Sequence, residues 1–410
     1  MDKENYRDKK YRDDTVFQKI NKKFLTLSDE EIRNNNEHLK MVEKVFIPLL
    51  KKDELFNLLF KRIMYGGSFY KGTRFGKPVE FDLDCVIKLP INYMNNIKID
   101  TNHKNYGFVR IKINTDGPFH PSWMKHAKLL SKWLTADGFL DQNKFHSWME
   151  RIVTSAFSMH SKTTNGSYEI LYCDRKYMIM HKKTGPAFTI ILQTPDGARI
   201  DVDLVPCLEF DNLPLGNGYK NFIGNKKTWM AVAKPLSLVT NSNLLWRLCF
   251  YEQEKEFLQG DIKPVIRMVK KFRDTMKWKS VASYYIETVF YHELEKHKPD
   301  LFDFLRAPKT YLFMLGLKKL QYHLEKKELP YFWHGKHNLF SKMNSSQLES
   351  YANHLKKLIV KFDENILMDR YVLADLKLEH NPTLKLMNLQ LNQKIRKNRR
   401  LQGAIDYALD

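Results

Sequence analysis

Residues 80–89, EFDLDCVIKL, constrain the fold more than any other stretch. Phe81, Leu83, Cys85, Ile87 and Leu89 fall on one parity, and Glu80, Asp82 and Asp84 open the other. Successive side chains of a strand point to opposite sides, so this alternation specifies a strand with one buried face. The same geometry puts the three acids on one face, with neighbouring carboxylates about 6–7 Å apart. Charges that close repel, so converging carboxylates require protons or a cation. A divalent ion is the economical answer: carboxylate oxygens are hard ligands for Mg²⁺ or Mn²⁺, and these ions bridge protein acids to substrate phosphates.

A later segment supplies a further acid. AFTIILQT, the turn Pro195-Asp196-Gly197 and ARIDVDLVPCLEF read as a β-hairpin, placing Asp203 and Asp201 on one face of its second strand. Two acids from one strand and a third from a neighbour suit two metal ions, one activating a hydroxyl and one steadying a leaving pyrophosphate. Gly67-Ser68 lies about a dozen residues before the first acids. Glycine lets backbone N–H groups approach phosphate oxygens, and the serine hydroxyl adds a donor. By itself Gly-Ser is an ordinary turn, and a single strand acid is an ordinary exposed charge.

Around this centre the 410 residues carry 43% hydrophobic and 13% aromatic side chains, enough for a sizeable core. Residues 1–20 are polar and expected to be mobile. Ser28 and Glu31 form a capping-box pattern ahead of Ile32, Leu39, Val42, Phe46 and Leu49, the stripe of a long helix that Pro48 should kink. Leu55 to Met64 reads as a further apolar helix, and residues 121–160 look helical. From Trp246 onward the pattern is mostly helical, ending in the basic tail Lys394, Arg396, Lys397, Arg399 and Arg400. The expected organisation is a polar N-terminus over 1–20, an α/β core over 21–225 and a helical lobe over 226–410.

The 68 Lys and Arg residues against 47 Asp and Glu give a net charge of +21, which favours polyanionic partners, nucleic acid first. Lys40, Lys44 and Lys51 fall near one helix face, where a phosphate backbone or simply water would meet them. No window approaches 18 uninterrupted apolar residues, and the charged start lacks the apolar core of a signal peptide. Cys85, Cys173, Cys207 and Cys249 are widely spaced, without zinc-ligand spacing, and read as reduced thiols of a cytoplasmic protein.

Gly-Ser, a strand of alternating acids and a third acid on a later strand resemble the nucleotidyltransferase signature of DNA polymerase β-type enzymes, oligoadenylate synthases and cyclic GMP-AMP synthase. GGSFYKGTRFGKPVEFDLD, RIDVDLVP, WMAVAKP and WRLCFYEQEKEFL together resemble the metazoan cyclic GMP-AMP synthase-like receptors, in particular those of insects, from about Phe24 to the C-terminus. The resemblance implies a bilobed protein, an α/β nucleotidyltransferase core with a mostly α-helical C-terminal lobe. It implies that Ser68, with Gly67, meets the donor triphosphate and that Glu80, Asp82 and Asp203 hold two Mg²⁺ or Mn²⁺ ions. Counting from Gly-Ser makes the strand pair Glu80 and Asp82, whereas counting back from the apolar end makes it Asp82 and Asp84. The first register is adopted, and Asp82 belongs to both.

Arg247 and Glu254, and then Lys270, Ser283 and Tyr284, match the family's nucleotide-contacting positions. The vertebrate DNA sensor carries a zinc-binding thumb where this chain has only EQEKEFLQGDIK, so no zinc is expected. The resemblance to the thumbless insect receptors implies double-stranded RNA as the activator, read through phosphates and 2′-hydroxyls along Lys40, Lys44, Lys51, Lys61 and Arg62, with oligomerisation on the nucleic acid. The resemblance further implies ATP and GTP as substrates and a cyclic dinucleotide, cyclic GMP-AMP, as product. The rivals are a relative that binds without catalysis and a template-independent RNA nucleotidyltransferase.

Overall fold

The computed structural model describes residues 11–368 apart from 77–79, 115–120, 159–161, 165, 185–186, 212–214, 217, 221–227, 235 and 237–240. The basic tail lies outside the described residues. Helices α1 (Thr15–Phe24) and α2 (Asp29–Met41) lead through a π-helical turn, Val42–Phe46, into α3 (Ile47–Leu50) and α4 (Glu54–Leu59). Strand β1 (Phe60–Tyr65), the one-turn helix α5 (Gly67–Tyr70) and β2 (Glu80–Ile87) follow, then α6 (Tyr93–Asn96), β3 (Ile97–Asp100), β4 (Phe108–Ile113), α7 (Pro121–Leu130) and α8 (Gln142–Ser158). Next come β5 (Tyr168–Tyr172), β6 (Arg175–Thr184), β7 (Ala187–Gln193), β8 (Arg199–Asp211), β9 (Thr228–Val232) and β10 (Trp246–Cys249). The remainder is α9 (Tyr251–Phe257), α10 (Ile262–Thr275), α11 (Ser283–Lys296), α12 (Leu301–Leu305), α13 (Lys309–Lys326), the ribbon β11 (Pro330–Tyr331) and β12 (His334–Asn338), and α14 (Ser345–Met368).

The chain divides into two compact units. The first comprises described residues within 27–259 and 330–339 and is built on a ten-stranded sheet. Its trunk is β8, thirteen residues long, whose first half pairs antiparallel with β7 and whose last residues pair with β9. The expected hairpin is present, with Gly197 at φ +80° in its turn. Along 201–208 β8 also carries β2 in parallel, and β1 adds on β2's other edge. Phe81, Leu83, Cys85 and Ile87 are all buried, as the alternation requires.

Two segments expected to be helical are strands of this sheet. Phe60–Tyr65 pairs with β2, and Trp246–Cys249 pairs with β4 and β9. Short apolar runs of this kind do not distinguish helix from strand by periodicity, and here sheet pairing decides. The capping box forms, Ser28 and Glu31 bonding reciprocally. The kink at Pro48 takes the form of a π turn, in which Ile47 N–H reaches Val42 O. The extra residue shifts the buried stripe, so Ile47 and Leu50 are buried where Leu49 was expected.

The second unit, described residues within 11–26, 260–329 and 340–368, is helical, with α13 packed against α10 and α14. Residues 11–20, expected to be mobile, belong to it. Tyr11, Phe17 and Ile20 are buried, and Tyr11 hydroxyl bonds Asp363. Asp14 accepts the Lys309 and Thr310 backbone N–H groups at 3.0 and 2.8 Å, capping α13 where Pro308 offers no side-chain acceptor. A few apolar residues at helical spacing suffice to dock an otherwise polar segment. No helix among the described residues is long and apolar enough to cross a membrane.

Candidate active site

The parallel register of β2 and β8 sets Glu80 opposite Asp201 and Asp82 opposite Asp203. Glu80, Asp82 and Asp203 each offer a carboxylate oxygen, and these atoms lie within 4.8 Å of one another. Asp201 is instead occupied by a two-pronged bond from Arg199, at 2.8 and 2.9 Å. Thr189 Oγ1, across the hairpin, donates to Asp203 Oδ1 at 2.6 Å and fixes that carboxylate. Burial, then Asp82 and Asp203, push the Glu80 carboxyl above its ordinary range; Asp82 is pushed up by its dense surroundings and then by Asp203, although its side chain still meets solvent.

Asp84 shares this strand face but not this role. It is 3% exposed, its Oδ2 has no hydrogen-bond partner, and burial pushes its carboxyl up to about 7 despite a bond from Tyr251 hydroxyl. The converging set is therefore Glu80, Asp82 and Asp203, the first of the two registers.

The glycine loop packs directly on this edge. Gly66 N–H donates to Asp82 O at 2.8 Å, and a Cβ on Gly66 would lie 3.3 Å from the Asp82 Cβ. Gly67 adopts φ +66°, and a Cβ there would fall inside the Asp82 carboxylate. Glycine is thus required both by backbone conformation and by close approach. Ser68 O accepts Thr73 and Arg74 N–H groups at 2.9 and 3.0 Å, closing the loop.

Three cations face the acids: Lys234, Arg74 and Lys71 all act to lower the Asp82 carboxyl. Arg74 also donates to Glu80 O at 2.6 Å. Lys234 stands in the WMAVAKP motif, and sequence reasoning quoted that motif without assigning its lysine. Thr189 was missed too, although the hairpin register alone places it opposite Asp203.

Other expected site residues have different surroundings. Glu254 is buried and held by Lys71 Nζ at 2.7 Å and Trp333 Nε1 at 3.1 Å. Arg247 is partly buried on β10 and is among the charges acting on Asp84 and Lys234. In the helical unit Lys270 is 2% exposed and bonds Glu287 at 2.5 Å. One turn earlier on α10, Arg267 Nε is buried without a hydrogen-bond partner. Ser283 accepts from Arg273 at 3.2 Å, and Tyr284 lies 6.4 Å from the Tyr291 ring. Lys40, Lys44 and Lys51 are exposed, whereas Lys61 and Arg62 both pair with Glu209.

An all-oxygen, all-anionic donor set, in which burial and then Asp82 and Asp203 push the Glu80 carboxyl up, fits a hard divalent cation. Residues 69–260 match the Mab-21 protein nucleotidyltransferase domain, and residues 261–357 the Mab-21 protein HhH/H2TH-like domain. Fold and site thus define a nucleotidyltransferase of the Mab-21 type. Among similar proteins, the cyclic GMP-AMP synthase-like receptor of Trichogramma pretiosum is 44% identical over 401 residues, 96% of this chain and 82% of its own. Receptors of the same name from Microplitis demolitor (38% over 362 residues, 87% of this chain, 66% of its own) and Aethina tumida (34% over 368 residues, 89% and 90%) agree with it. The chain belongs to the cyclic GMP-AMP synthase-like receptors.

Proposed function

We propose that the chain is a double-stranded RNA-activated enzyme of the cytoplasm that joins ATP and GTP into a cyclic dinucleotide, cyclic GMP-AMP, as an innate immune second messenger. The observation that carries this reading is the parallel β2–β8 pairing, which gathers Glu80, Asp82 and Asp203 beside a glycine loop. The relatives' names supply the product class. The three acids hold two Mg²⁺ or Mn²⁺ ions. When bound, these ions polarise phosphate oxygens and acidify a nearby hydroxyl.

The chain's own groups do the positioning. The Gly67-Ser68 loop offers backbone N–H groups and a hydroxyl to the triphosphate, and Arg74 and Lys234 offset its charge. In each joining step a ribose hydroxyl oxygen bonds the α-phosphorus as the bond to the pyrophosphate oxygen breaks, and Asp203, held by Thr189, takes the hydroxyl proton. Arg247, Ser283 and Tyr284 contribute nucleotide contacts. On α10 Lys270, which is paired with Glu287, contributes the phosphate contact. Glu254, held by Lys71 and Trp333, contributes a further nucleotide contact.

Duplex RNA meets the exposed Lys40, Lys44 and Lys51, with smaller contributions from Lys61 and Arg62, whose charge Glu209 offsets. Oligomerisation on RNA belongs to the same reading. The test is mass spectrometry of products from pure protein, ATP, GTP and Mg²⁺ with no nucleic acid, double-stranded DNA or double-stranded RNA. The reading predicts a cyclic dinucleotide with RNA alone; a linear oligonucleotide, or product independent of nucleic acid, contradicts it.

A further inference from the structure

Between α13 and α14 the chain forms the ribbon β11–β12, which belongs by its contacts to the sheet-built unit although the helices on either side of it do not. Its Phe332 and Trp333 are each 1% exposed. They grip the two ends of α9. The Trp333 ring stacks on Phe250, the residue before α9, with centroids 4.2 Å apart, and the Phe332 ring meets Phe257, the last residue of α9, at 5.3 Å. Lys220 reinforces the ribbon, donating its N–H to Trp333 O at 3.0 Å and laying its ammonium 4.1 Å from the centre of the Phe332 ring.

In turn α9 grips the short helix that carries the glycine loop. Adjacent residues of α9 meet adjacent residues at the end of α5: Glu254 Oε2 accepts from Lys71 Nζ at 2.7 Å, and the Lys255 ammonium lies 3.7 Å from the centre of the Tyr70 ring. Lys71 and Glu254 are 5% and 4% exposed. A buried ammonium deprived of its carboxylate is strongly disfavoured, so these two side chains stay together. The other Glu254 oxygen, Oε1, accepts the Trp333 indole N–H at 3.1 Å, a bond strengthened by the charge on its acceptor. Trp333, Glu254 and Lys71 thus form one buried line. It ends at the loop whose Gly67 lies against Asp82 and whose Ser68 O closes on Thr73 and Arg74.

We propose that Trp333 is a positioning residue for nucleotidyl transfer: its indole N–H fixes Glu254, Glu254 fixes Lys71, and Lys71 holds α5 and the Gly67-Ser68 loop in the pose that meets the donor triphosphate. Trp333 acts through these two residues, not on the reacting atoms. The inference rests on the catalytic reading for what the loop meets, and on the buried line for what Trp333 does. Transfer depends on near-attack geometry, so a loop released by about 1 Å costs about a hundred-fold in rate. Tryptophan suits the position because a phenylalanine would supply the stacked ring without the donor.

Trp333→Phe keeps an aromatic ring against Phe250 and removes the donor, and Lys71→Met removes the ammonium at the other end of the line. Hydrogen exchange read by mass spectrometry is followed in full-length protein over residues 66–74, where the Gly72, Thr73 and Arg74 N–H groups bond Phe69 and Ser68 carbonyls. These amides are expected to exchange at least about ten-fold faster in Trp333→Phe, while those of β8 keep their wild-type rates. A merely structural tryptophan would loosen the ribbon and α9 and leave the loop as it was. Lys255→Ala, changed at a half-buried position, is expected to speed the same amides and takes the place of Trp333→Phe if that variant does not fold. With ATP, GTP, Mg²⁺ and double-stranded RNA, Trp333→Phe and Lys71→Met are each expected to lower kcat at least about ten-fold, and the double variant to lose no more than the worse single one, because both act along one line. Loop exchange unchanged in the folded variant, or losses that multiply in the double variant, would overturn the proposal. A wild type that makes no product would end the catalytic reading, and the exchange rates would still decide whether Trp333 holds the loop.

Discussion

At the scale of single residues, the site is built by close approach. Gly67 lies so near Asp82 that any side chain must displace the carboxylate, and its φ of +66° adds a cost of about 1–2 kcal/mol for an L residue. Gly67→Ala is expected to lower kcat at least ten-fold with modest loss of stability, measured by steady-state kinetics beside denaturant unfolding. Asp84 makes an opposite demand. Its native carboxyl, raised to about 7, binds its proton more tightly than in the unfolded chain, so the native state is favoured at low pH. That stabilisation is lost as pH rises from the unfolded carboxylate range, near 4, through 7. Asp84→Asn removes the charge, so in metal-free protein it should be more stabilising at pH 8 than at pH 5.5, by about 2 kcal/mol. Paired unfolding curves at the two pH values check this; an effect of equal size at both would contradict the assignment.

At the scale of elements, the alternation in EFDLDCVIKL announced β2 and its acidic face because one buried side fixes a period of two. The partnership with β8 was not legible. Parallel pairing joins residues 80–87 to 201–208 across more than a hundred positions, and nothing local encodes that contact. The same limit explains Phe60–Tyr65 and Trp246–Cys249, whose strand state comes from neighbours in the sheet. It also explains Asp84, a third acid in sequence but a buried one in the fold. The N-terminal segment shows the converse, a polar stretch ordered by the buried Tyr11, Phe17 and Ile20 and by one cap. Asp14→Ala should cost about 1 kcal/mol through the lost α13 cap, and Phe17→Ala about 3–5 kcal/mol through the cavity it leaves. Denaturant unfolding reads both, and unchanged midpoints would mean that α1 is not part of the helical unit's fold.

At the scale of the whole molecule, the charge of +21 is unevenly committed. Lys61 and Arg62 share Glu209, and Arg62 also approaches Glu252 at 3.7 Å, whereas Lys40, Lys44 and Lys51 stand exposed. Duplex RNA affinity should therefore fall steeply with salt, and each of Lys40→Ala, Lys44→Ala and Lys51→Ala should reduce the slope of log affinity against log salt by about 1. Lys61→Ala should change it less. The account rests above all on three acids brought together by one strand pairing. Its most direct test is product mass spectrometry on wild type and Asp82→Ala, each with ATP, GTP, Mg²⁺ and double-stranded RNA, after circular dichroism shows both folded. Wild type should release a cyclic dinucleotide and the variant none. Intact triphosphates with wild type, or equal product from both, would contradict it.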